Sequence, residues 1–528
     1  MKKLSIAIFA CGLALPASIS FAVNWIFDTE KYTGAVNWSN TFGTAGEAGS
    51  GYWYYMDGDS RVYIEGGSIA STDTIQVSSE GLGSSISIVV DSDITLSGVS
   101  LAGDQLISIS GSGTNTNKFT VNGDITATTS AAINFNSLDF TVTGTLQDGT
   151  GFLNMNNMSS VDINVLTALS NTRYYVSAAS GDSASIDNPT VKIGQILKGD
   201  GFYFNNVGTD KDLYYSIGNT DVALTSQQTT GASTLTTYLI LTPQDTSKEY
   251  RTNYGIRSNS PNNDNWTAIK IIMKGADGAV QNIDVPTWTK GNNTYANGGI
   301  EVISGTLKIN FAQQAEGYAW DNIAFYTDTA ANGGVQTTFS HGDLTMVGGT
   351  FGSYAGSYNG YGSFRFTNIV YSGGTIRLRL ICDNDGNISQ DSIDLTGYYK
   401  RDSSDAENLV EEYISGGTIQ IAQDGAKVTF DLGSFSELAW LIDYDDGEFA
   451  YGDGAKIVSW DAVNKPGLSE SDFSANRIES SGDEYMAKFT LNDDGLYVKY
   501  IAVPEPAEWA AIFGICALAF AYIRRREK

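Results

Sequence analysis

Ile303-Ser304-Gly305-Thr306-Leu307, Val347-Gly348-Gly349-Thr350-Phe351, Ser372-Gly373-Gly374-Thr375-Ile376 and Ser415-Gly416-Gly417-Thr418-Ile419 repeat one local pattern. The threonines lie 44, 25 and 43 residues apart. Intervals of 44 and 43 read as two turns of roughly 22 residues, and 25 as one, a loose period typical of a solenoid. A rung that short cannot bury its inward side chains alone. Stacked at the ~4.8 Å strand spacing, successive rungs pair their backbones and build one apolar column.

The runs outward from this pattern are β-like. Arg61-Val62-Tyr63-Ile64, Ile86-Ser87-Ile88-Val89-Val90, Leu106-Ile107-Ser108-Ile109, Phe119-Thr120-Val121 and Phe140-Thr141-Val142 are each closed by Gly, Asn, Asp or Ser. Gly67, Gly98, Gly123 and Gly144 stand beside such runs, at intervals of 31, 25 and 21. Between the chain ends only Pro189, Pro243, Pro261, Pro286 and Pro466 would delete a ladder donor. The one helical candidate is 405–413, where Ser404 and Glu407 suit a capping box. The expectation is an all-β chain, a right-handed parallel β-helix or solenoid, with tandem antiparallel β-sandwiches as the alternative.

Composition sets the broad limits. The chain has 528 residues, 58 of them Gly, with 41% hydrophobic and 17% charged, enough apolar content for a core. A net charge of −28 argues against nucleic acid, whose phosphates need clustered Lys and Arg. A single histidine, His341, removes most imidazole metal sites and disfavours a Ser-His-Asp triad. The expected organisation is 1–22 as a leader, 23–171 as repeats, and 172–265 as a Tyr-rich insert or degenerate rungs. That insert ends in a polar linker over 247–265; 266–503 forms a second repeat region with a terminal cap, and 504–528 a tail.

Both ends read as addresses. Lys2 and Lys3 precede an apolar run, 4–15, and Ser20-Phe21-Ala22 fits a signal peptidase, so cleavage is expected after Ala22. A lipoprotein anchor at Cys11 is the rival, with bulky Phe9 where a small residue is wanted. At the far end Val503-Pro504-Glu505-Pro506 is stiff and extended. It precedes a single apolar stretch, 509–523, and the basic Arg524-Arg525-Arg526 that would stop it in the membrane. Fifteen residues are fewer than the ~20 that span a bilayer comfortably.

In tripeptide, hydrophobic helix and basic terminus, this tail resembles the PEP-CTERM sorting signal of Gram-negative bacteria. The resemblance covers about the last 25 residues and includes Ala507-Glu508-Trp509-Ala510. It implies an exosortase-type membrane transpeptidase as partner, acting near Pro504, Glu505 and Pro506. It further implies transient inner-membrane anchoring, then placement at the cell surface, outer membrane or extracellular matrix. The closing runs 455–460 and 495–500, with Asp472-Phe473, look like the last rungs of autotransporter-type passenger solenoids.

Candidate sites each have a bland rival. Asp383, Asp385 and Asn387, with Asp394 as twelfth ligand, approximate an EF-hand spacing for weak Ca2+ binding, but Ile388 stands where glycine belongs. A solvated turn is the preferred reading, and the turns at 443–448 and 492–495 are read likewise. Cys382 would need His341 as its base; a buried strand cysteine is preferred. Tyr52-Trp53-Tyr54-Tyr55, and Tyr354, Tyr358 and Tyr361, offer flat faces for sugar rings, although stacking between rungs explains them as well. No catalytic residue and no cofactor is assigned. The expected role is structural or adhesive, in contact with extracellular polysaccharide; a polysaccharide lyase or glycoside hydrolase on the same scaffold is the alternative.

Overall fold

The computed structural model describes residues 22–43, 51–113, 117–149, 151–170, 172–178, 184–206, 212–227, 236–252, 256–258, 268–284, 298–310, 342–353, 363–382, 388–401, 411–443 and 452–503, with 517, 518, 522, 524 and 525 from the tail. Strands dominate, and three parallel sheets hold most of them. A first sheet steps from Asn24–Phe27 through Thr74–Ser78 to Ile419–Ile421. A second runs from Val36–Asn37 to Ile256–Ser258, and a third from Glu249–Thr252 to Phe473–Ala475. Sandwiches of the immunoglobulin kind would pair antiparallel.

The register explains the core. Ile86–Val90 alternates buried and half-buried positions along its length, as a period of two demands. Parallel pairing then sets like on like: Ile86, Ile107, Ile133, Leu153, Tyr174 and Phe202 stand in successive register. In the first sheet a buried column passes from Ile94 through Phe119, Phe140, Val161, Val191, Tyr215, Leu239, Ile271, Ile300, Leu344 and Ile369 to Ile419. Each such side chain contributes about 1.5–3 kcal/mol by leaving water. The strands of 172–246 continue these two sheets in turn. The polar stretch 247–265, expected as a linker, carries Glu249–Thr252 and Ile256–Ser258, each in a parallel pairing.

The corner glycines explain the repeat, and correct its counting. Gly305, Gly349 and Gly374 have φ of 74°, 61° and 91°, a left-handed turn that favours glycine, between a first-sheet and a third-sheet strand. Thr306, Thr350 and Thr375 follow them and lie directly opposite one another. The 44-residue interval is therefore one step, not two. Its extra length is 311–341, outside the described residues. Pairing fixes only the strand starts, and loop closure costs little more for a longer connection. Ser415-Gly416-Gly417-Thr418 is not a fourth copy of that corner: Ile419 lies opposite Ile369 in the first sheet, whereas Ile376 meets Phe430. The equivalent glycine is Gly425, with φ of 76°.

Other pieces close the ends. At the N-terminal side the hairpin of Trp53–Asp57 and Ser60–Tyr63 pairs antiparallel with Asn24–Phe27. Trp53 is fully buried, 5.0 Å from Phe27 and 5.3 Å from Trp38, and its indole donates to Thr41 at 2.7 Å. At the far side Asp483–Asn492 and Gly495–Ala502 form an antiparallel hairpin, with Ala455–Ser459 on its open edge. The helix expected over 405–413 is not formed where it is described: Glu411–Ile414 is a strand opposite Tyr398–Arg401. Cross-strand pairing overrides a weak local helix preference there. Outside the tail, the α-helix among the described residues is the short Phe435–Leu438, capped reciprocally by Ser434 and Glu437.

A contrast between corner glycines tests this architecture. Gly425→Ala meets open space and should cost about 1–2 kcal/mol from left-handed strain alone. Gly374→Ala adds a clash, its new methyl falling 2.6 Å from the Gly348 oxygen, and should cost clearly more in denaturant unfolding followed by circular dichroism.

Candidate functional site

Alternate residues of the second sheet form an outward row: Ser87, Ser108, Asn134, Asn154, Tyr175, Tyr203 and Thr225. Its first half is polar, and Asn154 donates to Asn134 at 2.7 Å. On the neighbouring outward row Asn136 reaches Ser110 at 3.1 Å. The row then turns aromatic. Tyr175 and Tyr203 stack with centroids 4.9 Å apart and planes at 22°, so the strand spacing itself sets the ring spacing. Phe152, 48% exposed and opposite Arg173 on the adjacent row, meets the Tyr175 ring at 6.0 Å with planes tilted by 52°.

Neighbouring residues fix these rings. Gly201 lies opposite Arg173, and a methyl there would come within 2.8 Å of the Tyr203 ring, so glycine leaves that ring room. Arg173 holds its guanidinium 6.0 Å from the centre of the Tyr203 ring while its Nε donates to Asp200 at 3.1 Å. The result is a half-exposed aromatic platform with a paired cation and anion at its border. Such a surface offers flat faces to apolar ring edges and polar partners to hydroxyls. A second outward pair, Tyr214 and Tyr238, stacks at 4.4 Å and 7° on the first sheet. Burial pushes both phenols up. Lys270, opposite Tyr238, bonds Glu301 at 2.6 Å.

Several carboxylates are occupied with backbone. Asp93 accepts from the Lys118 amide at 3.0 Å, Asp124 from Thr145 at 2.7 Å, Asp212 from Thr236 at 2.8 Å, and Asp221 from Arg251 at 2.8 Å. In each case an acidic side chain on one level caps an amide one level further along the chain. Among the described residues no three His, Cys, Asp or Glu side chains are grouped to hold a metal ion.

Two buried acids stand out. Asp391 is fully buried and takes the Arg379 Nε at 2.9 Å and the Arg379 amide at 3.1 Å. The Ser353 hydroxyl donates to the same carboxylate and accepts from Arg379 at 3.0 Å. This trio ties a third-sheet strand to the segment before Ser392–Asp394; the carboxylate already holds a guanidinium and serves poorly as a base for Ser353. Asp148 is fully buried in the first sheet, and neither oxygen has a hydrogen-bond partner among the described residues. Burial pushes its carboxyl above the ordinary 3.8, outweighing the opposing influence of Thr172 and the Gly149 amide.

The expected site residues are dispersed. Asp383, Asp385 and Asn387 lie outside the described residues. Asp394 spends Oδ1 on the Thr396 amide at 2.9 Å and the Thr396 hydroxyl at 2.6 Å. Cys382 is on a strand as expected, but half-buried rather than buried: Leu380–Cys382 is a two-stranded hairpin arm, not a rung of a large sheet. His341, Tyr354, Tyr358 and Tyr361 lie outside the described residues. Of the Tyr52–Tyr55 run, Trp53 is core. Ala22 is exposed, Pro504, Glu505, Pro506 and Arg526 are not described, and Arg524 and Arg525 are exposed and helical. No helix among the described residues is long and apolar enough to cross a membrane.

Sequence reasoning missed Phe152, Tyr175 and Tyr203. They lie 23 and 28 residues apart; the register sets Tyr175 opposite Tyr203, while Phe152 lies opposite Arg173 on the adjacent outward row and meets Tyr175 diagonally. By fold and surface the chain is an all-β protein of stacked parallel strands with an outward aromatic platform. Comparison with protein-family models, curated proteins and solved structures found no match.

The acid at Asp148 makes a pH prediction. Its folded form favours the neutral carboxyl, so the stability it supplies is complete below 3.8 and is lost as pH rises through its raised value. Asp148→Asn should therefore gain in melting temperature over the parent as pH climbs from about 3 to about 8, and match it most closely at the acid end.

Proposed function

We propose that the chain is an exported surface or matrix protein of a Gram-negative bacterium that binds extracellular polysaccharide without degrading it. In this reading a signal peptidase removes 1–22 and an exosortase-type transpeptidase processes the tail at Pro504-Glu505-Pro506. Between those ends lies a right-handed parallel β-solenoid. Parallel pairing at one step after another supports the solenoid, and crossovers between parallel strands are right-handed in about 98% of cases.

The observation that carries the binding role is the cluster of the stacked Tyr175 and Tyr203 with Phe152 beside them, aromatic surface placed outward with Arg173 and Asp200 at its border. Sugar rings present apolar C–H faces to such rings and hydroxyls to their polar border. The carboxylate placement favours binding over turnover. Glycoside chemistry needs two acids about 5–10 Å apart across a substrate, whereas the Asp side chains at the corners are engaged with backbone amides.

Two experiments test this. Incubated with acidic and neutral glycans, the protein should retain at least one without releasing reducing ends or unsaturated products; Tyr175→Ala with Tyr203→Ala should weaken that binding about tenfold or more. New reducing ends would move the assignment to a polysaccharide-degrading enzyme. Replacing Pro504, Glu505 and Pro506 by alanine should abolish tail processing, read as retention of the full mass in the membrane fraction; unchanged processing removes the exosortase from the account.

A further inference from the structure

The first described strand, Asn24–Phe27, begins one residue after the expected cleavage point, and its approach is held by a single buried acid. Asp73 is 4% exposed. Its Oδ1 accepts from the Val23 backbone nitrogen at 3.0 Å, and its Oδ2 from the Trp25 indole at 2.8 Å and the Ala70 amide at 3.1 Å. The Val23 carbonyl in turn accepts from the Thr74 amide at 2.9 Å, which puts Asn24 and Thr74 in parallel register. Ser97 holds the Asp73 carbonyl from the next level at 2.8 Å. Among the described residues no Lys or Arg side chain pairs with Asp73, and all three of its side-chain donors are neutral. A buried carboxylate is stabilised most by a cation placed where one of those donors stands.

We propose that Asp73 is the binding site for the α-ammonium group of Val23, created when the leader is removed after Ala22. Hydrolysis adds water across the Ala22–Val23 bond: Ala22 takes the hydroxyl, Val23 takes the hydrogen, and the new amine gains a proton at neutral pH. The nitrogen that donated one amide hydrogen to Asp73 then carries a positive charge and three hydrogens. A neutral hydrogen bond becomes an ion pair without moving the backbone. Cleavage one residue either side would displace the charge by about 3.3 Å along the strand, out of line with Oδ1. Processing thus locks Asn24–Phe27 onto Thr74–Ser78, where the parallel ladder of the first sheet begins. The proposal rests on the export reading for the agent of cleavage, and on the Asp73 geometry for its consequence.

The two parts are tested separately. Expressed full-length in a Gram-negative host and exported, the chain should yield an N-terminal peptide that begins at Val23 by mass spectrometry; any other first residue overturns the cleavage site. Independently, chain 23–528 is released from a ubiquitin-like fusion whose protease leaves Val23 first, and half of it is acetylated at that amine. Hydrogen exchange at the Thr74 amide should be about tenfold slower with the free amine than with the acetylated one. Asp73→Asn, which keeps an accepting oxygen, should erase the difference. Equal exchange in the free and acetylated chains overturns the ion pair, whatever the host's peptidase does. A difference that survives Asp73→Asn overturns Asp73 as the partner.

Discussion

The hydrogen-bonded register between one strand and the strand a step later is the constraint on which the rest of this structure depends. Parallel pairing with a side-chain period of two allows no mixed columns: whatever faces inward at one level must be met by something inward at the next. Ile86 meets Ile107 and Ile107 meets Ile133, and the same rule makes Tyr175 meet Tyr203 on the outer face. Core and platform are thus two consequences of one ladder. Even the close approaches obey it. Gly194 and Gly218 occupy matching places on neighbouring strands, where a methyl on Gly218 would lie 1.8 Å from the Gly194 oxygen.

The same ladder explains which parts of the fold were legible in the chain. Alternating runs such as Ile86–Val90 announce strands because their pattern is local. Gly305, Gly349 and Gly374 announce corners because only a left-handed residue turns there. Step length is not local. A connection of any size fits between two paired strands, so 44 residues between Thr306 and Thr350 looked like two steps. Ser415-Gly416-Gly417-Thr418 shares the letters of a corner without its dihedrals, and Asp424-Gly425 performs the turn with different letters. The candidate site was the least legible part. Phe152, Tyr175 and Tyr203 are unremarkable in a chain with 29 Tyr and 23 Phe, and their grouping exists only once three strands are in register.

Charge takes on a different meaning in this frame. An excess of Asp and Glu suggests solvated surface or metal-binding loops when counted along the chain. In space, Asp93 and Asp212 serve amides at the start of later strands and Asp124 and Asp221 serve amides within them, donors that would otherwise turn to water. A carboxylate suits this task because it accepts strongly and donates nothing. The composition that made nucleic acid an improbable partner is thus partly a structural requirement of many corners.

A stack of this kind has one inherent weakness: its terminal strands have an open edge, which invites pairing with another chain. Here the two ends are closed by different means. The C-terminal side folds a long antiparallel hairpin, Asp483–Asn492 with Gly495–Ala502, against Ala455–Ser459. The N-terminal side uses a shorter hairpin. It lays Trp53–Asp57 against Asn24–Phe27, buries Trp53 among Phe27 and Trp38, and fixes the strand's start through Asp73. The bond at the Val23 nitrogen acts just ahead of Asn24–Phe27, the strand held between Trp53–Asp57 and Thr74–Ser78 where the first sheet begins. That is why a change of charge at one terminal atom can matter to a structure otherwise held by a long repetition of equivalent contacts.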